Sequence, residues 1–336
     1  MYRAVRQGLA LLCLLLLLIL SSPRAAALSP ALPALSRVEE LTMAGFMQEN
    51  RALLEGRDLY TLDYDANSRP VLARYRLYNL HVSDWNVLAE DCVPRWLCLL
   101  GGQLYYINGQ NGGVLESVDP ATGARRYLRA GPCSWLSARE GRLYYCREDG
   151  RFCSMVPGEP VETVLVDARC FYPWLLDADT LLYQDGDDGE RLHLRRLSTG
   201  EDRALTDEAA YAPLVWGGRI WYTGEEGLRS VLPDGGGRQA YPLPPIRGAA
   251  EFLPWGESLW VRCRTEENGL LRQYSVSLTG GAQPLYSAER GYRLCDYLGE
   301  RYRVDALYQP DGRIRGFVLT DNAGNTLRYW MGKEIS

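Results

Sequence analysis

The chain has 336 residues, 46% of them hydrophobic and 24% charged, which places it among folded globular proteins and excludes a disordered one. Its formal charge at pH 7 is −5, and without the three arginines Arg3, Arg6 and Arg24 of the amino terminus it is −8. A surface that acidic argues against nucleic acid and against electrostatic binding to anionic membranes.

The first 27 residues read as a secretory signal. Arg3 and Arg6 form a basic start, Leu9 to Leu20 is an unbroken run of 12 apolar residues, and Ala25-Ala26-Ala27 offers small residues for cleavage. A membrane-spanning helix needs about 20 apolar residues. Cleavage after Ala27 is therefore expected, with an uncleaved signal-anchor as the alternative. Cys13 lies inside the apolar run, not at its end, so it is not placed as a lipid-modified cysteine. The expected location is secreted or cell-envelope associated, outside the cytoplasm.

Export changes the reading of the other eight cysteines, an even number compatible with disulfides. No CxxC pair occurs, so zinc ribbons and thioredoxin-like chemistry have no support. The best local pair is Cys146 and Cys153, flanking the hairpin tip Glu148-Asp149-Gly150-Arg151. A four-residue tip sets them face to face; otherwise they are two buried thiols that never pair.

Residues 28–44 read as a linker and N-terminal segment. Within the stretch Arg37 to Arg57, a short amphipathic helix and an entering strand (Gly45-Phe46-Met47 or Ala52-Leu53-Leu54) are both open. The rest of the chain, residues 45–331, is organised by one recurring phrase, and residues 332–336 form a tail. Leu104-Tyr105-Tyr106-Ile107-Asn108 returns as Leu143-Tyr144-Tyr145-Cys146, Leu181-Leu182-Tyr183-Gln184, Ile220-Trp221-Tyr222-Thr223 and Leu259-Trp260-Val261-Arg262. The steps are 39, 38, 39 and 39 residues, a period that signals a repeat architecture. Leu59 precedes the series, Tyr302 follows it, and extra length between strands falls near His81 to Trp85.

The unit from Val93 shows the internal plan. Trp96 to Leu100 is a nearly continuous apolar strand, Gly101-Gly102 a turn, and Leu104 to Asn108 the return. Asn111-Gly112-Gly113 makes a second hairpin turn, Val114 to Val118 a third strand. Asp119-Pro120-Ala121-Thr122-Gly123 turns again into Arg126-Tyr127-Leu128. Four short antiparallel strands in about 40 residues is the pattern of a β-propeller blade. The expected fold is all-β, with seven blades counted from the anchors Leu59, Leu104, Leu143, Leu181, Ile220, Leu259 and Tyr302, or six if one end diverges. How the ring closes is not legible.

These units resemble the tyrosine-rich propellers of the low-density lipoprotein receptor type. They are more similar to exported bacterial propellers of unknown function that carry the same likeness. Leu104 to Asn108 followed by Leu115-Glu116-Ser117-Val118-Asp119 carries the resemblance. Ile220-Trp221-Tyr222-Thr223-Gly224 is nearest to the receptor's Tyr-Trp-Thr-Asp motif, with Gly224 in place of the aspartate. The resemblance implies the architecture and no particular activity. Quinone-binding and WD-type propellers are disfavoured: Tyr127 stands where a docking tryptophan belongs, and no Gly-His or Trp-Asp dipeptide occurs.

Candidate chemistry is sparse. His193 alternates with Leu192 and Leu194 and reads as a solvent-facing strand residue, while His81 falls in the first blade's extra length. Asp185, Asp187 and Asp188 in the run Asp185 to Glu190 are weak metal candidates, because alternating carboxylates and glycines can wrap a hard cation; a solvated turn is the plainer reading. Cys92, Cys133 and Cys170 enter successive blades at near-equivalent places, as a thiol cluster or as small buried residues. The tryptophans near the innermost strands read as packing around the central channel. No cofactor motif is present. The composite expectation is an exported, non-enzymatic propeller that binds a protein, peptide or glycan. The alternatives are a metal-dependent lactonase or glycan-cleaving propeller enzyme, and a structural cell-envelope component.

Overall fold

Four-stranded antiparallel meanders account for nearly all of the described chain. The computed structural model describes residues 35–331 apart from 79–80, 226, 242–245, 256–257, 266–270, 277–281, 288–291, 299–301, 309–313 and 322–324. It contains seven four-stranded sheets, each built from one contiguous segment with its strands in sequence order. Numbered along the chain, sheet 1 spans 52–90, sheet 2 94–129, sheet 3 133–166, sheet 4 170–204, sheet 5 211–241, sheet 6 246–287 and sheet 7 292–331. The first strands of sheets 1 to 6 lie beside one another in order, and that of sheet 7 lies beside that of sheet 1. The fold is a β-propeller, with the first strand of each sheet innermost.

Alternation along each strand sends neighbouring residues to opposite faces, and in a propeller both faces meet another sheet. Sheet 1 shows the consequence. Tyr60, Leu72 and Leu88 pack with Leu97, Leu104, Tyr106 and Val118 of sheet 2. Their neighbours Leu59, Val71 and Ala73 pack with Val304 and Leu319 of sheet 7. Closure is thus apolar packing of the first sheet on the last, and among the described residues no strand is exchanged between the two. All seven anchor residues of the recurring phrase lie in second strands. The third turn of sheet 2 works as its composition requires: the Asp119 carboxylate accepts from Ala121 N at 2.8 Å, and Gly123 has φ 74°.

One stretch differs from the sequence reading. His81 to Trp85 belongs to the fourth strand of sheet 1 (His81–Glu90), not to a loop; two register shifts in its pairing absorb the extra length. The side chain of His81 lies outside the described residues. Of the two readings open for Arg37 to Arg57, a helix and an entering strand, the helix holds for the first part, Arg37–Phe46, and a strand follows at Ala52–Glu55. Ser36 caps the helix and Glu39 completes a capping box, with the Glu39 carboxylate accepting from Ser36 N at 2.8 Å. Its apolar residues Leu41, Met43, Ala44 and Phe46 are all buried, as expected of a helix enclosed on several sides. Among the described residues no helix is long and apolar enough to cross a membrane.

Candidate functional site

The helix Arg37–Phe46 occupies the axial channel. Within each sheet the turn between strands one and two lies at one end, called here the turn face. The hairpin between strands two and three and the links between sheets lie at the other, the loop face. At the turn face the Glu40 carboxylate accepts from Gly217 N at 2.9 Å, and Glu39 feels the charge of Arg139. Farther in, the Met43 thioether accepts from Val215 N at 3.3 Å. Phe46 ends the helix against Trp135 and Trp174, at centroid distances of 5.9 and 5.1 Å, and its carbonyl accepts from Trp96 Nε1 at 3.0 Å. Gln48 then donates to the Phe252 carbonyl at 3.4 Å. Trp96 N and Leu97 N donate to the Glu49 and Asn50 carbonyls at 2.5 and 2.8 Å. The chain reverses there, with Glu49 and Asn50 at φ 68° and 32°, and descends as the first strand of sheet 1. Helix and reversal together plug the channel from the turn face and form the floor of a mouth at the loop face.

The wall of that mouth is built by β-bulges. In sheets 2 to 5 two innermost-strand residues face one residue of the second strand: Trp96 and Leu97 face Tyr106, Trp135 and Leu136 face Tyr145, Tyr172 and Pro173 face Tyr183, Ala212 and Pro213 face Tyr222. The first residue of every pair is left-handed, with φ 49°, 58°, 50° and 49° at Trp96, Trp135, Tyr172 and Ala212. Glycine is the residue that adopts this conformation without strain. Non-glycine residues there cost of order 1–3 kcal/mol each. The bulges turn aromatic rings inward: Trp96 meets Trp135 at 5.1 Å, and Trp135 meets Tyr172 at 4.7 Å. Trp135 and Tyr172 stay half-buried, with Phe46 beneath.

Charged groups complete the rim. Glu49 pairs with Arg51 at 2.9 Å and with Arg95 at 3.6 Å. On the other side of the aromatic wall the Tyr211 hydroxyl donates to Glu190, which also influences Tyr172. The bond to Glu190, with burial, pushes the Tyr211 phenol up to about 12. Burial, then the Glu190 charge, raises that of Tyr172. Tyr64 stands near Arg51, its phenol raised by burial against the opposing pull of that arginine.

The residues singled out in the sequence fall elsewhere. Asp185 accepts from Asp187 N at 2.8 Å. Asp187 takes the Arg169 guanidinium at 2.7 Å. Asp188 binds Arg191 and, at 2.9 Å, His193 Nε2. Asp187 and Asp188 answer different cations and Asp185 a backbone amide, and among the described residues no group of His, Cys, Asp and Glu is arranged to hold a metal. His193 is not solvent-facing: it is 8% exposed, with Nδ1 on Asp202 at 2.9 Å and Nε2 on Asp188. Burial lowers its pKa, but bonds to Asp202 and Asp188 and the nearby acidic charge outweigh that and leave it raised.

The Cys146–Cys153 pairing is corrected. Cys153 lies opposite Tyr145 and Cys146 opposite Phe152, so the two thiols project to opposite faces of sheet 3. Cys146 packs toward sheet 4 and Cys153 toward the Trp96 and Phe46 cluster, both as free thiols. Cys92, Cys133 and Cys170 likewise belong to three separate clusters.

The tyrosines of the recurring phrase have a role that sequence reading missed. Tyr106 donates to Glu116 at 3.0 Å, which Arg125 also meets at 2.7 Å. Tyr145 donates to Glu162, held by Arg147 at 3.0 Å. Tyr183 donates to Asp202 at 2.5 Å, beside Arg195 at 3.1 Å. Tyr222 donates to Glu208 at 3.1 Å, beside Arg229 at 2.9 Å. In each of sheets 2 to 5 the tyrosine therefore joins a carboxylate and an arginine, which satisfies polar groups covered by the neighbouring blades. The regular spacing of the tyrosines was its visible trace.

No family model and no curated protein sequence matches the chain. Among solved structures it is similar to a Mycobacterium tuberculosis puromycin-hydrolyzing peptidase, at 14% identity and a TM-score of 0.61 over 90% of this chain and 55% of that one. It is also similar to an oligogalacturonate lyase in complex with manganese, at 14% identity and a TM-score of 0.50 over 82% and 85% of the two chains. The dihydro-heme d1 dehydrogenase NirN shows a TM-score of 0.54 at 14% identity, over 83% of this chain and 65% of its own. This chain spans little more than half the length of the peptidase. At such identities the likeness is one of fold.

Proposed function

We propose that this protein is an exported, non-enzymatic propeller that binds a ligand at the mouth on the loop face. The observation that carries the reading is the run of left-handed bulge residues Trp96, Trp135 and Tyr172. Strain of this kind persists where the surroundings hold it, and it gathers at ligand sites. Tryptophan, tyrosine and arginine are also the residues most enriched in binding hot spots. The plug supports a binding role, because it seats Phe46 against the half-buried ring of Trp135. Glu49 is paired with two arginines and Glu190 is held by Tyr211, an arrangement suited to holding a ligand rather than to moving protons. A protein, peptide or glycan fits this reading.

The test is capture from the extracytoplasmic fraction with the whole chain and with Trp135→Ala. A partner retained by the first and lost by the second is expected. Turnover in a panel of lactone and glycoside substrates, abolished by Glu49→Gln or Glu190→Gln, contradicts the non-enzymatic reading.

A further inference from the structure

We infer that the mouth takes a neutral oligosaccharide, stacked on Trp135 and Tyr172 and hydrogen-bonded by Glu49, Arg95 and Glu190. The inference rests on the mouth being the binding site, and it goes further by naming the ligand's chemistry. Three features select that chemistry.

Charge is the first. Both signs of charge rim the described mouth: Glu49 is already paired with Arg51 and Arg95, Glu190 lies within reach of the Arg169 charge, and Glu225 acts on Tyr211. A charged ligand has to break these pairs and leave one member unmatched, which is costly for partly buried groups. A ligand without net charge leaves them intact.

Ring geometry is the second. Trp96, Trp135 and Tyr172 are tilted by 51° and 54° at successive contacts, so they form a curved wall rather than parallel ridges. Proline-rich peptides dock between the ridges of an aromatic-lined groove, and extended peptides need an exposed strand edge. At sheet 2 the edge of the innermost strand is already engaged, because Trp96 N and Leu97 N donate to the plug. A sugar ring instead lays its C–H face on a single indole or phenol.

The polar groups are the third. Carboxylate and guanidinium are planar and offer two parallel acceptors or donors, the spacing that adjacent hydroxyls of a sugar present. Glu190 is fixed for this purpose: Tyr211 holds its carboxylate, and its carbonyl accepts from Ala210 N at 2.9 Å. Arg95 is braced as well. A Cβ added at Gly109 would lie 2.9 Å from Arg95 Nε, so glycine at that position leaves room for the guanidinium.

The experiment is calorimetric titration of the full-length chain with cellotetraose, chitotetraose, maltotetraose and xylotetraose, and in parallel with tetragalacturonate and an immobilised peptide library. Saturable binding of at least one neutral tetrasaccharide is expected. Trp135→Ala should weaken it tenfold or more, and Arg95→Gln and Glu190→Gln several-fold, with the melting temperature of the two polar variants unchanged. If Trp135→Ala fails to fold, the two polar variants carry the test alone. Failure of every neutral tetrasaccharide, with peptides or tetragalacturonate retained in a manner that depends on Trp135 and Arg95, overturns the ligand class and leaves the mouth standing. Binding of any probe that no mouth variant affects overturns the site itself, and so does absence of binding by all probes.

Discussion

Trp135 shares with Leu136 the place opposite Tyr145 in sheet 3, and it does so at φ 58°. The same relation recurs between Ala212 and Tyr222 in sheet 5, at φ 49°. The two positions separate backbone strain from side-chain gain. Relief of the left-handed conformation by glycine is worth about 1–2 kcal/mol, against about 0.5–1 kcal/mol of chain entropy. Ala212→Gly is therefore expected to raise stability by about 0.5 kcal/mol, since little packing is lost. Trp135→Gly gives up the contacts with Phe46, Trp96 and Tyr172, and for a half-buried tryptophan the loss lies near the lower end of the range of about 3–5 kcal/mol. It should destabilise by about 2 kcal/mol or more once strain relief is set against that loss. Urea unfolding of both variants checks the contrast; equal effects would remove the claim that the bulge is strained.

The plug predicts a core-like response from a segment of low sequence profile. Phe46 is 2% exposed and touches the aromatic rings of sheets 3 and 4. Phe46→Ala is expected to cost about 3–5 kcal/mol, and Glu40→Ala, at the exposed end, under about 1 kcal/mol. Urea unfolding measures both. A Phe46→Ala protein as stable as the parent would show that the helix does not fill the channel.

Alkaline pH should unfold the protein early. Burial, with the neighbouring carboxylates, raises the phenol pKa of Tyr106, Tyr145 and Tyr183 above its ordinary value. The folded chain then keeps protons that the unfolded chain releases. Stability from these groups is fully present below about pH 10 and is lost as pH rises beyond it. The urea midpoint is expected to fall steeply above that point, and less steeply in Tyr145→Phe and Tyr183→Phe. A midpoint flat through that range contradicts the buried tyrosine and carboxylate clusters.

His193 carries a pH signature of the same sign, but near neutrality. Its folded pKa is raised, so its contribution is present below the unfolded value of about 6.5 and fades as pH rises through the folded value. Its partners Asp202 and Asp188 have lowered values, so theirs is present above about pH 4 and lost on acidification. Proton resonance titration of the His193 ring should give a pKa above about 6.5. A value below that would mean burial outweighs the two aspartates.

Much of the scaffold was legible because it rests on local patterns. The anchors from Leu59 to Tyr302 fall in second strands since alternation and turn residues specify them without long-range information. What escaped depended on neighbours. His193 alternates with leucines as a solvent-facing residue does, yet a blade is covered on both faces, so its polar positions are buried and need partners. Cys146 and Cys153 failed as a pair by one residue of register, which reverses the face of a side chain. The left-handed tryptophans were invisible because glycine and asparagine are the usual signals for that conformation. Ser36 and Glu39 did mark the helix start, but nothing local shows that the helix enters a channel.

The most direct test of the mouth as the proposed binding site is hydroxyl-radical footprinting of the whole chain with and without the ligand retained in the capture or calorimetric experiments. Protection at Trp135, Tyr172, Tyr211 and Tyr64 is expected, with no change at Tyr127, which is 70% exposed on an outer strand. Protection confined to Tyr127 and the neighbouring outer strands, with the mouth residues unchanged, would contradict the account.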